Sequence, residues 1–171
     1  MTDLLEAMNS ALADTFAFYF RAHSFHWNVS GPRFSQLHSF FGDIYSDTFD
    51  AVDGLAEHIR TMSAPAPPSL AAIIAPATVG TGGTDVPDAE AMVGQLLADN
   101  DVVTSSLSAA QSLATAAALS GLANYLQERV DRHRKWGWML SATVEPRPSR
   151  REVLYDNKDR LRGLGSPLNG G

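Results

Sequence analysis

The chain has 171 residues, 44% of them hydrophobic and 19% charged, which suits one domain with a real core and argues against an intrinsically disordered chain. Its formal net charge is -6 with histidine neutral, so the body offers nucleic acid no general basic face. It has no cysteine and no run of about 18 apolar residues, which excludes disulfides, thiolate metal sites and a membrane-spanning helix.

The first predicted element is a helix from about Thr2 to Trp27, with Leu5, Met8, Leu12, Phe16, Tyr19 and Phe20 at three-and-four spacing. Its start, MTDLLEAMNS, has neither a basic stretch nor a long apolar stretch of the secretory kind, so the expected location is cytoplasmic. The helix closes near Asn28–Gly31, and Pro32 cannot continue it. A second helix is predicted from about Phe34 to Met62, where Leu37, Phe41, Ile44, Tyr45, Phe49, Val52, Leu55, Ala56 and Ile59 form a stripe. At about 1.5 Å rise per residue it is roughly 40 Å long. Residues 63–86, rich in proline and carrying a Gly-Thr-Gly-Gly run, read as a long crossover with room for a short helix at Leu70–Ile74. The third long helix opens at Pro87-Asp88-Ala89-Glu90, with proline and acids at its start, and runs to about Ala118. Ser120-Gly121 is the expected break before a fourth long helix, which reaches about Thr143. Two helical hairpins joined by a crossover define an all-α, ferritin-like four-helix bundle over residues 1–143, followed by an irregular, partly basic tail over 144–171.

Four of the five histidines, His23, His26, His38 and His58, fall in the first two helices. Asp43, Asp47, Asp50, Asp53 and Glu57 crowd the second, where Asp53 and Glu57 share a face at i,i+4 spacing. Asp43, Asp47 and Asp50 read as a solvated face or the lining of a cavity. Imidazole with carboxylate favours iron, zinc or manganese over magnesium. In-bundle iron centres use Glu-x-x-His, a pattern found nowhere in this chain. His38 and Asp53 stand fifteen residues apart, some 22 Å along one helix. A single chain cannot close them on one ion, whereas a two-fold partner can bring the second set opposite the first.

The stretch His26-Trp27-Asn28-Val29-Ser30-Gly31, then Phe34 and Leu37-His38, then Asp53 with Ala56-Glu57 and Arg60, resembles the signature of the Dps family of miniferritins, and Trp138-Met139-Leu140 is similar to the family as well. The resemblance implies a hollow twelve-subunit shell with an intersubunit ferroxidase site at the two-fold interface. His26 and His38 of one chain would join Asp53 and Glu57 of its mate, with Glu57 able to bridge two irons. It implies oxidation of Fe(II), preferably by hydrogen peroxide, and storage of Fe(III) in the cavity as protection against oxidative damage. Zinc would suit the same ligands.

One position departs from the family pattern. A carboxylate usually stands four residues after the second histidine, where this chain has Gly42. Asp43 is rotated from it by about 100° and could replace it only through a local helix distortion. A weaker or single-iron site follows. His23 and Trp27 take accessory roles beside His26, Trp27 as interface packing or as an interceptor of oxidising equivalents. His58 and His133 read as non-ligands, Trp136 and Trp138 as core or interface, and Arg60 as a partner for Glu57. Six basic residues of the tail, Arg147, Arg150, Arg151, Lys158, Arg160 and Arg162, are the candidate DNA contacts, since twelve tails would add their phosphate interactions. The alternative functions are a shell with impaired iron chemistry that compacts DNA or builds a structural assembly, and a zinc-sequestering shell.

Overall fold

The computed structural model describes residues 2–80 and 82–144. It contains five helices: α1 (Thr2–Asn28), α2 (Phe34–Thr61), the short α3 (Leu70–Ile74), α4 (Ala89–Ala116) and α5 (Ser120–Val144). The short links 29–33 and 117–119 fold α1 with α2 and α4 with α5 into hairpins. The hairpins close into one bundle through packing of α1 on α4 and of α2 on α5, and α3 lies against α1. Phe18, Phe41, Leu12, Ile44, Leu96 and Leu126 are fully buried at its centre, which is the all-α bundle that the periodicity predicts. Among the described residues no helix is long and apolar enough to cross a membrane.

Local chemistry fixes the helix starts. The Ser69 side chain accepts from the Ala72 amide at 3.2 Å, and Asp88 accepts from the Ala91 amide at 2.8 Å, so α3 and α4 each begin on a side-chain cap. The crossover is pinned by a carboxylate. Asp14 of α1 is fully buried and accepts from the Thr78 and Val79 amides at 2.6 and 2.8 Å and from the Thr78 hydroxyl. Arg21 donates to the Gly80 carbonyl and pairs with Asp99 of α4 at 2.7 Å.

Two expectations need correction. The break between α4 and α5 falls at Ala117–Leu119, not at Ser120-Gly121, which form the first turn of α5. Ala118 adopts φ +56° there, a left-handed conformation more usual for glycine at a helix end. Asp47 is neither solvated nor free to line a cavity. Arg129 of α5 grips it with two bonds of 3.1 and 2.9 Å, Trp136 Nε1 donates to it at 2.9 Å, and Arg132 lies at 3.4 Å. Burial alone would raise the Asp47 pKa. The bonds from Arg129 and Trp136, with the charges of Arg129 and Arg132, outweigh burial and lower it.

Gly54 shows how closely α2 and α5 approach. A Cβ at this position would overlap the Tyr125 hydroxyl, which donates to the Ala51 carbonyl at 3.2 Å while its ring packs on His58. Gly54→Ala therefore forces Tyr125 out of place. The gain of about 1 kcal/mol from helix propensity should be outweighed by an overpacking cost of about 1–3 kcal/mol. A net drop in thermal midpoint is expected in calorimetry, against the rise that an exposed glycine would give.

Candidate metal centre

His26 sits in the last turn of α1 and His38 in the second turn of α2, so the first hairpin brings them together. Their rings stack with centroids 3.7 Å apart and planes at 21°. The His26 Nδ1 donates to the His38 carbonyl at 2.6 Å, and the His38 Nδ1 donates to the His26 carbonyl at 2.8 Å. A carbonyl can only accept, so each Nδ1 carries the proton and each Nε2 keeps its lone pair. That arrangement orients histidine for a metal, with the second ring nitrogen tied to backbone.

Gly42 of α2 faces the pair across the hairpin. A Cβ there would lie 3.4 Å from His26 Nδ1 and 3.5 Å from its Cε1, so the His26 ring lies over this residue. The helix runs through Gly42 without a break, and no distortion redirects Asp43. Asp43 instead lines a groove of about 560 Å³ with Arg33, Phe40, Trp138 and Met139.

Asp53 and Glu57 are exposed, farther along α2. Among the described residues, no three His, Asp or Glu side chains gather where one ion could be held. The structure thus joins His26 to His38 and leaves Asp53 and Glu57 apart from them within one chain. At 100° per residue, His38, Gly42, Phe49, Asp53 and Glu57 nonetheless fall within a sector of α2 about 100° wide. Asp43 and Asp47 lie outside that sector, which is why Asp47 meets α5 instead.

His23 belongs to an aromatic cluster beside the pair. Its ring stacks on Tyr45 at 4.0 Å and 19°, with Trp27 at 4.2 Å and the Tyr19 hydroxyl 3.4 Å from its Nδ1. Burial, and then the His26 charge, lower its pKa. A pocket of about 380 Å³ opens between Tyr19, His23, Tyr45, Ser46, Phe49 and Asp50. Tyr19 and Tyr45 were missed as neighbours of the site; the i,i+4 spacing of Tyr19 and His23 was the available signal. Trp27, Phe20 and Phe49 are 59%, 53% and 56% exposed, an aromatic band on the α1–α2 face. Trp138 is 68% exposed and so is not core, whereas Trp136 is buried.

The His58 ring packs on Tyr125 at a 44° tilt, and His133 is wholly buried. Arg60 donates to the Ala64 carbonyl at 2.9 Å, and no ion pair joins it to Glu57 among the described residues. The candidate DNA contacts Arg147, Arg150, Arg151, Lys158, Arg160 and Arg162 lie outside the described residues.

The ferritin-like domain model matches residues 5–147, so the chain belongs to the ferritin-like family. Within it, the chain is 31% identical over 148 residues to the DNA protection during starvation protein of Brevibacillus brevis, covering 81% of this chain and 92% of that one. It is 27% identical over 146 residues to a low temperature-induced protein of Nostoc, covering 85% and 82%. The crystal structure of the Dps protein from Vibrio cholerae, described as one of the ferritin-like diiron-carboxylate proteins, superposes with a TM-score of 0.79 at 28% identity, covering 84% of this chain and 90% of that one. The chain is a Dps-family miniferritin.

Proposed function

We propose that this protein oxidises Fe(II) at a site shared between two copies and stores the Fe(III) inside a twelve-subunit shell. The observation that carries this reading is the reciprocal lock of His26 and His38, which leaves both Nε2 lone pairs free of that lock, with no carboxylate gathered beside the pair among the described residues. Asp53 and Glu57 of the partner would complete the ligand set. For residue 38 to face residues 53–57 of a two-fold mate, the α2 helices must cross antiparallel near residues 46–47. The exposed Phe49 and its neighbours on α1 flank that crossing, which suits a buried aromatic contact.

Iron is the substrate here. Neutral imidazoles and ionised carboxylates hold Fe(II) and favour Fe(III) as its charge rises. Peroxide takes one electron from each of two ferrous ions and, with two protons, leaves as two waters. Oxidation thus proceeds without release of hydroxyl radical, and the ferric product hydrolyses and collects in the cavity. Zinc would compete for the same ligands. Removing one anchor tests the site: His26→Ala should lower the initial rate of Fe(II) oxidation by peroxide at least tenfold, an effect of about 1.4 kcal/mol or more. An unchanged rate overturns the proposed site.

Gly42 leaves the site one oxygen ligand short of the family pattern. A carboxylate can be restored, since a Cβ at this position makes only ordinary contact with His26. Gly42→Asp should tighten Fe(II) binding on the order of tenfold, the increment supplied by about 1.4 kcal/mol. Titration calorimetry under anaerobic conditions measures it. The rival reading, a shell that compacts DNA with little iron chemistry, draws on this same missing ligand. It requires slow oxidation in the wild type together with a DNA mobility shift.

A further inference from the structure

The middle of the bundle carries a second polar cluster, separate from the histidine pair and formed by α1, α2, α4 and α5. His133 of α5 is wholly buried. Its Nδ1 donates to the Asn100 Oδ1 at 2.9 Å, and the Asn100 amide donates back to the His133 carbonyl at 3.0 Å. This exchange fixes the tautomer, so His133 Nε2 is a bare acceptor with no partner among the described residues. Arg129, one turn earlier on the same helix, spends its terminal nitrogens on Asp47. Its Nε–H is a buried donor that likewise has no partner. Arg129 and His133 stand four residues apart on α5, so their side chains share one face of the helix.

A bare donor and a bare acceptor at i,i+4 on one helix are complementary but do not bond to each other. Each orphan buried in an apolar core costs about 1–3 kcal/mol, and ordered water satisfies such groups in folded proteins. We propose that one water molecule is bound inside the bundle, accepting from Arg129 Nε and donating to His133 Nε2. The Phe18 ring of α1 packs on His133 with centroids 5.5 Å apart and closes the site on that side.

The water completes a polar seam running Asp47–Arg129–water–His133–Asn100, which ties α2, α5 and α4 together at mid-bundle. This site is independent of the interface ligands.

A high-resolution crystal structure of the wild-type shell tests the proposal. The expected result is one water oxygen within about 3.2 Å of both Arg129 Nε and His133 Nε2. Empty space between the atoms, a direct bond between them, or a metal ion in that position would overturn it. In a second structure, of His133→Phe, the acceptor is gone and the water should be absent. A water held at the same place in that variant would also overturn it. Should the variant not fold, the wild-type structure decides alone.

Discussion

Co-assembly of two inactive variants should restore about a quarter of the wild-type iron-oxidation rate. One variant lacks both imidazoles (His26→Ala with His38→Ala), and the other lacks both carboxylates (Asp53→Ala with Glu57→Ala). Each alone is expected to oxidise Fe(II) near the rate of buffer. In a mixed pair, one of the two interface sites draws imidazoles from the second variant and carboxylates from the first, and is whole. The other site lacks every ligand. Random pairing makes about half of the two-fold contacts mixed, and one site in two of those is intact. Equal co-expression followed by purification through a different tag on each variant yields the mixed shells, and initial ferric absorbance gives the rate. No recovery in a correctly assembled mixture would exclude ligands shared across the interface. Activity in either variant alone would exclude the residues themselves.

That experiment addresses the part of the site that one chain does not display. The helices were legible because their apolar spacing and their caps are local. The Leu70–Ile74 helix and the start of α4 after Pro87-Asp88 appear where the sequence puts them. The His26–His38 pairing was legible only as a motif. The tautomer lock that prepares it depends on two backbone carbonyls, which leave no trace in residue types. Asp47 was misread because its partners Arg129 and Trp136 lie 82 and 89 residues away. Helical geometry held the clue: Asp47 falls outside the sector that contains His38, Asp53 and Glu57, so it had to meet another helix. The α4–α5 break was misplaced for a different reason. A glycine is the usual left-handed residue at a helix end, and here alanine takes that role at a cost of roughly 1–2 kcal/mol.

The buried end of the same polar seam should govern stability in mild acid. Burial, and next the Arg129 charge, lower the His133 pKa to about 3, with Asp47 opposing the shift. In the unfolded chain the imidazole titrates near 6.5. Above that pH both states are neutral and the group contributes nothing to the pH dependence. As pH falls through 6.5 the unfolded chain takes up a proton that the native core refuses, so stability falls with it. The loss from this one group is about 2 kcal/mol per chain at pH 5 and about 3 kcal/mol at pH 4. His23, whose pKa is also lowered, acts in the same direction. Asp47 contributes in a separate and more acid range, since its lowered pKa means stability is lost only as pH falls through carboxylate protonation. Denaturant melts of metal-free protein at fixed concentration, at pH 8 and pH 5, measure the slope. His133→Gln should be less stable than wild type at pH 8, yet lose about 2 kcal/mol less than wild type between the two pH values. Equal losses in both proteins would mean that His133 takes up its proton without unfolding, which its closed position between Phe18 and Asn100 opposes.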